Sequence, residues 1–305
     1  MKILITGGTG RIGANVVKRL VERGGELRCV VRPSTDRLEK LLQFDVEILQ
    51  VDLRDREGLA RTVQGVDAIV HMGVKLRGPT NYEQLDINTA PTLTLLEAVR
   101  TLNPDLKRFV YASSDVLFPH TGYMPDLITP HDIFTRPQGM YAVSKIACEA
   151  MVQSYHQQYD IPTVSLNIPF TFCGREFLGE RTLAISPLIE SHIEDLQRRS
   201  FTPELERVIE QLQDHYESGK RLVIPHCSEG PAFKRHLGDV RDVAAACERA
   251  LHVDTAVGQA FVIMSKPFLF AEAVPHLSDV SGLEYVDVTF PFAEFYEYDT
   301  QHTVE

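Results

Sequence analysis

The chain has 305 residues, 44% hydrophobic and 24% charged, an ordinary globular balance that excludes disorder as its main state. Its 31 Lys and Arg stand against 42 Asp and Glu. The net charge of −11 is the wrong sign for gripping a polyphosphate backbone, so a nucleic-acid partner is excluded.

Lys2–Thr6 is a short apolar run ending in a glycine cluster, and reads as a buried strand entering a tight turn. Ile12, Val16 and Leu20 recur every four residues with Val17 and Val21 beside them, a helix face that Gly24-Gly25 stops. Leu27–Val31, closed by Arg32-Pro33, is a second strand. Val46–Val51 and Ala68–His71 read as the third and fourth, with a polar, partly helical Asp55–Val63 between them. Asn81–Leu102 has helical spacing that Pro91 interrupts, which predicts a kink. Arg108–Ala112 is a fifth strand, Tyr141–Tyr159 a long helix and Thr163–Ile168 a sixth strand. Strands separated by helices of this length imply parallel βαβ units with right-handed crossovers. The fold class is therefore α/β, a Rossmann-type doubly wound parallel sheet.

After about Gly174 the rhythm changes. Glu176–Gly219 is helical and charged, most clearly over Pro203–Tyr216. Short strands at Leu222–Ile224 and Ala260–Ile263 then return around a helix at Val240–Leu251. The expected division is a dinucleotide-binding domain over residues 1–174 and a smaller mixed α/β substrate lobe over 175–305. Some strands and helices of the second part are expected to return to the first.

Gly7-Gly8-Thr9-Gly10-Arg11-Ile12-Gly13 lies between the first strand and the first helix. Gly7 permits the tight turn, Gly10 the approach of a pyrophosphate to the backbone, and Gly13 close packing of helix on strand. Arg11 and Ile12 fall at the helix N-terminus, whose free N–H groups face the anion. An NAD-preferring site places an acid at the end of the second strand. Here Arg32 stands there, with Arg37 close behind, and a guanidinium suits a 2′-phosphate. NADP is accordingly expected ahead of NAD. Asp52 ends the third strand, placed to accept from an adenine amino group.

Tyr141-Ala142-Val143-Ser144-Lys145 sets Tyr and Lys at i and i+4 on one helix face. The pair opens the helix that follows the fifth strand, whose end carries Ser113-Ser114-Asp115, where a doubly wound sheet binds its ligand. Hydride transfer at a carbinol carbon needs a proton moved on the oxygen. A phenol of pKa near 10 is a poor base at neutral pH. A nearby ammonium and a positive nicotinamide ring both favour phenolate. Tyr141 is thus the candidate acid/base, Lys145 its cationic partner, and Ser114 the group that fixes the substrate oxygen.

These residues resemble the extended short-chain dehydrogenase/reductases of the NAD-dependent epimerase/dehydratase group, over nearly the whole chain. Gly7, Gly10 and Gly13 match that family's GxxGxxG, Asp52-Leu53 its adenine-contacting pair, and His71-Met72-Gly73-Val74 its HLAA segment. Asn88 with Leu95-Leu96-Glu97-Ala98 resembles its N…GT…LLEA helix, and Ser114, Tyr141 and Lys145 fall on its catalytic triad. Pro169 through Gly174 resembles the loop beside nicotinamide, which implies cofactor contacts at Gly73, Pro169 and Thr171. Arg235 through Ala244 resembles a substrate-lobe segment, implying substrate contacts at Arg235 and Asp115. Thr171 and Arg175 depart from the family's Asn and Pro, and Val116 replaces the Glu of its sugar dehydratases. The resemblance also implies a homodimer built on Asn81–Leu102 and Gln138–Tyr159.

The leading expectation is an oxidoreductase acting on a secondary alcohol or ketone of a small or sugar-like molecule. A nucleotide-sugar epimerase with retained NAD is the alternative, and a non-catalytic dinucleotide sensor a further one. No metal site is expected, since the eleven His form no HExxH spacing. His71, His131 and His236 read as structural or solvated. The dispersed Cys29, Cys148, Cys173, Cys227 and Cys247 form no CxxC pair. No apolar stretch approaches the roughly 18 residues that span a bilayer, and the opening residues are too short in their apolar part for a signal peptide. A reducing cytoplasm is the expected location, with no membrane partner.

Overall fold

In a computed structural model, residues 1–76, 80–118, 137, 139–173, 186–197, 202–228, 230, 232–263 and 267–292 are described. Six strands and five helices alternate through the first half: β1 (Lys2–Thr6), α1 (Arg11–Glu22), β2 (Glu26–Val31), α2 (Glu39–Leu42), β3 (Glu47–Gln50), α3 (Arg56–Arg61), β4 (Ala68–His71), α4 (Asn81–Leu102), β5 (Arg108–Ser114), α5 (Gly139–Tyr159) and β6 (Thr163–Ile168). With a later strand, β11 (Ala260–Val262), they build a seven-stranded sheet in the order β11-β6-β5-β4-β1-β2-β3. Every pairing in it is parallel.

Such strands are buried on both faces and read as apolar runs. Alternate residues of each strand serve opposite layers. Ile3, Ile5, Val110 and Val164 pack with Val16, Val17 and Leu20 of α1. Leu4, Ile69, Phe109 and Tyr111 pack with Leu95 and Leu96 of α4 and Cys148 and Val152 of α5. Pro91 lies buried inside α4, which runs on through it.

The second half holds β7 (Thr171–Phe172), α6 (Ile189–Gln197), α7 (Pro203–Glu217), β8 (Leu222–Cys227), β9 (Lys234–Arg235), β10 (Gly238–Asp239), α8 (Val240–His252), β12 (Phe268–Leu269), α9 (Phe270–Ser281) and β13 (Tyr285–Phe290). β13 pairs in parallel with β8, and a separate cluster including Ile189, Leu212, Leu222, Phe270 and Phe290 fills the space around them. α7 begins where its sequence says it should: Thr202 Oγ1 accepts from Leu205 N at 3.3 Å, with Pro203 in the first turn.

Two elements beyond residue 175 belong to the main body. β11 pairs with β6, and Val243, Ala244 and Cys247 of α8 join the α1 side of the first core. Arg19 of α1 holds Glu248 of α8 in a salt bridge. β1 lies between β2 and β4, so crossovers leave it in opposite directions and a crevice opens outside the carboxyl ends of the strands. The residues that follow β1, β4, β5 and β6 all arrive there.

Candidate active site

The turn after β1 is built for an anion. Gly7 has φ +77°, and a side chain on it would come within 2.9 Å of Gly73 N and the Met72 carbonyl. A Cβ on Gly13 would lie 2.1 Å from Gly7 O, so only glycine lets α1 sit this close to the turn. Gly10 N donates to Gly7 O at 2.9 Å. Gly10 caps α1 without a side-chain acceptor, and no acid lies in the first turn. The helix therefore offers its N–H groups and positive end to a ligand. These features fit the pyrophosphate of a dinucleotide.

Arg11 bridges two loops, donating from Nη1 to Thr171 O at 2.7 Å, while Thr171 Oγ1 donates to Pro169 O at 2.8 Å. Ile12 packs against the first core. The end of β4 joins the same rim: Thr6 Oγ1 accepts from Met72 N at 3.1 Å and Gly73 N at 2.9 Å. Leu53 lies against Gly73, its Cδ1 2.6 Å from where a Cβ would stand. Gly7, Gly10, Arg11, Gly13, Leu53, Gly73, Pro169 and Thr171 are thus gathered on one rim.

The adenosine end differs from expectation. Both oxygens of Asp52 are held by Arg54, at 3.0 Å from Nε and 2.8 Å from Nη2, and its Oδ1 also accepts from Arg54 N at 2.9 Å. Those bonds, aided by the charge of Arg32, lower the carboxyl to about 2. The acceptors expected for an adenine amino group are engaged by a guanidinium. Arg32 is exposed at the end of β2, with the Asp52 carboxylate close enough to feel its charge.

At the end of β5, Ser114 Oγ accepts from Val116 N at 3.3 Å and donates to Asp115 Oδ1 at 3.3 Å. Tyr141, in the first turn of α5, lies close enough for the Ser114 hydroxyl to act on its phenol. Burial pushes the Tyr141 phenol up to about 12. The Ser114 hydroxyl opposes that rise and the Asp115 carboxylate adds to it. Lys145 is turned toward the sheet. Its Nζ donates to Ala112 O at 2.6 Å and Tyr111 Oη at 3.2 Å, 4.8 Å from the Tyr111 ring centre. Burial lowers it to about 8. The Lys145 ammonium is held by β5, and the groups that shift the phenol are burial, Ser114 and Asp115. Arg235 is buried on β9, just ahead of β10, which pairs beside β7.

Sequence reasoning missed the hydrogen bonds that fix these pieces. Asn88 Oδ1 accepts from Lys75 N at 2.8 Å, and its Nδ2 donates to Ser144 Oγ at 3.0 Å. Ser144 in turn donates to Tyr141 O at 2.7 Å, so α4 sets the first turn of α5. His71 is 2% exposed, with Nδ1 2.7 Å from Thr6 Oγ1 and Nε2 3.1 Å from Thr92 Oγ1. Thr6 Oγ1 already accepts twice from the backbone, so its proton goes to Nδ1 and the imidazole proton sits on Nε2. Burial first, then Lys145, lowers His71 to about 3, making it a neutral structural link. His131 and Arg175 lie outside the described residues.

Residues 3–263 match the family model of the NAD dependent epimerase/dehydratase family. The chain belongs to this family. By its family and by its fold the chain is of the short-chain dehydrogenase/reductase type. It is 30% identical over 215 residues to the uronate dehydrogenase of Pseudomonas syringae pv. tomato, covering 67% of this chain and 71% of that one. It is 31% identical over 170 residues to the UDP-glucose 4-epimerase of Erwinia amylovora, covering 51% and 48%. Over other curated relatives the match spans 34% of one and 55% of another, a third to a little over half of their length. A short-chain dehydrogenase/reductase superfamily protein of Agrobacterium tumefaciens, solved with bound NAD, superposes with a TM-score of 0.84 at 26% identity, covering 99% of this chain and 90% of that one. The family description and that bound cofactor are both NAD, so the expectation of NADP ahead of NAD is not supported. No helix among the described residues is long and apolar enough to cross a membrane.

Proposed function

We propose that this chain transfers hydride between NAD and a secondary alcohol or ketone carbon of a small or sugar-like substrate, with Tyr141 moving the proton on the oxygen. The observation that carries this reading is a convergence at one end of the sheet. The glycine turn after β1 and the Ser114–Tyr141 hydroxyl pair after β5 open on the same crevice, with Lys145 one helical turn behind. Gly7, Gly10, Arg11, Ile12 and Gly13 would hold the pyrophosphate, and Arg32, Leu53 and the lone pair that Arg54 leaves on Asp52 Oδ2 the adenosine. Gly73, Pro169 and Thr171 would face the nicotinamide. When bound, the cofactor supplies the ring carbon that takes or gives hydride.

Ser114 orients the substrate oxygen, and Asp115 and Arg235 are substrate contacts. A phenol pushed up to about 12 stays protonated at neutral pH, so it carries the proton that a carbonyl oxygen takes as it becomes a hydroxyl. In the oxidising direction Tyr141 works as a base once cationic charge from Lys145 and the pyridine ring favours phenolate. Tyr141→Phe should lower turnover about 10²–10⁴-fold and leave the NAD dissociation constant within about twofold, as read by calorimetry. Unchanged turnover would overturn the role of Tyr141, and a wild type that binds NAD but turns over none of the alcohols or ketones tried would favour a non-catalytic dinucleotide sensor.

The likeness to a UDP-glucose 4-epimerase supports a second reading, epimerisation on a retained cofactor. NAD that survives dialysis of the purified protein favours it, and net consumption of added NADH favours reduction. Calorimetry with NAD and NADP side by side tests cofactor choice, and Arg32→Ala should narrow any preference for NADP. We also infer a homodimer through α4 and α5, where Leu93, Leu102 and Tyr159 are 42%, 45% and 46% exposed, working in the cytoplasm. Sedimentation of Leu93→Glu as a monomer beside a dimeric wild type is the expected result.

A further inference from the structure

Glu149 follows Lys145 by one turn of α5, 1% exposed against 4%, so Tyr141, Lys145 and Glu149 form a ladder at i, i+4 and i+8. Beneath them the sheet carries a polar strip where apolar residues are usual. Tyr111 and Ser113 on β5 pair with Ser165 and Asn167 on β6, and all four are buried. Glu149 Oε2, Ser113 Oγ and Asn167 Oδ1 are buried without a partner in hydrogen-bond geometry, while Glu149 Oε1 accepts from Gln153 Nε2 at 3.4 Å. The partners that Lys145 does have, Ala112 O and Tyr111 Oη, are neutral. A buried ammonium among neutral groups alone is costly.

We propose that Glu149 is a positioning residue for the proton-transfer group, its carboxylate supplying the buried counter-charge that keeps Lys145 an ammonium. The proposal rests on the reading of Lys145 given above. The titratable groups around the pair are Tyr141 and Cys148 on α5, Tyr111 on β5 and His71 on β4, with Asp115 acting on Tyr141. α4 contributes Asn88 and Thr92, which do not titrate. Glu149 is the carboxylate among the groups that raise Lys145 against the lowering by burial. Ser165, Ser113 and Gln153 in turn oppose the rise that burial imposes on Glu149. Ser113 Oγ stops short of hydrogen-bond geometry with it, and the charge of Lys145 adds to these groups in lowering Glu149.

The test is the titration of Lys145 in the full-length protein, followed by NMR of ε-¹³C-labelled lysine and assigned with Lys145→Met. In Glu149→Gln, which keeps size and shape, Lys145 should lose its proton about one pH unit lower than in wild type. Glu149→Asp, which keeps the charge, should stay close to wild type. The alkaline limb of the turnover profile should move with the lysine. A lysine titration unmoved in Glu149→Gln overturns the proposal. A lysine that shifts while the turnover limb stays put supports the charge pairing and instead overturns the role of Lys145 in proton transfer. Should Glu149→Gln not fold, the ¹³C carboxyl shift of Glu149 in wild type decides: ionised at pH 7 supports the pairing, protonated overturns it.

Discussion

In the unfolded chain His71 gains its proton near pH 6.5, whereas burial keeps it neutral down to about 3 in the fold. Between those values the unfolded state binds more protons, so stability falls as the pH falls, by about 1.4 kcal/mol per pH unit. From pH 6.5 to pH 5 the loss is roughly 2 kcal/mol. Denaturant melts of wild type and His71→Asn at pH 7.5 and pH 5 should show a smaller pH difference in the variant. An equal difference would mean that His71 titrates freely. At this scale the sequence was legible where a pattern surrounded the residue. Ser114, Tyr141 and Lys145 sit at strand ends and at i, i+4, where spacing carries information. Glu149 and His71 were not legible as parts of the site. A single polar residue has no period, and what surrounds these two, the polar strip of β5 and β6 for Glu149 and Thr6 and Thr92 for His71, lies elsewhere along the chain. Arg54 was missed for the opposite reason: two residues from Asp52, it looked like an ordinary surface cation.

Among the elements, the turn that joins β1 to α1 has the least room for change. Gly13→Ala would press a methyl carbon to 2.1 Å from the Gly7 carbonyl oxygen, so helix and turn must part. The expected result is a stability loss of about 1–3 kcal/mol and a fall in NAD affinity of more than about tenfold, since the amides no longer converge. Calorimetry and thermal melts check both. Gly65→Ala is the control, strained by its φ of +71° but with nothing within 4 Å and remote from the crevice. The six strands of the first half were readable because each is a short run rich in apolar residues, most of them buried on both faces, such as Ile3–Ile5 and Ala68–Val70. α9 was hidden by Pro275, which breaks the helical pattern on paper. β13 was overlooked although Val286, Val288 and Phe290 alternate with polar residues, a period-two signal present in the sequence. The edge position of β11 depends on a partner about ninety residues away, and no local pattern reports such a pairing.

For the molecule as a whole, apolar packing falls into separate clusters, two flanking the main sheet and one around β8 and β13. Phe290 is 1% exposed in the last of these, stacked among Phe233, His192 and Phe292. Phe290→Ala should remove about 3–5 kcal/mol. Because the glycine turn draws on the other clusters, the loss should show as an early calorimetric transition while NAD still binds at lower temperature. Coincident loss of binding and structure would show that the clusters melt as one. The pairing of β11 with β6, and the seating of α8 on α1, also order events in time. A ribosome delivering about 5–20 residues per second leaves β6 with a bare hydrogen-bonding edge for about 5–20 s, and α1 with an uncovered flank for about 10–45 s, before the late segments emerge. During translation the nascent nucleotide domain is therefore a sticky half-product, and chaperone engagement should concentrate in that interval.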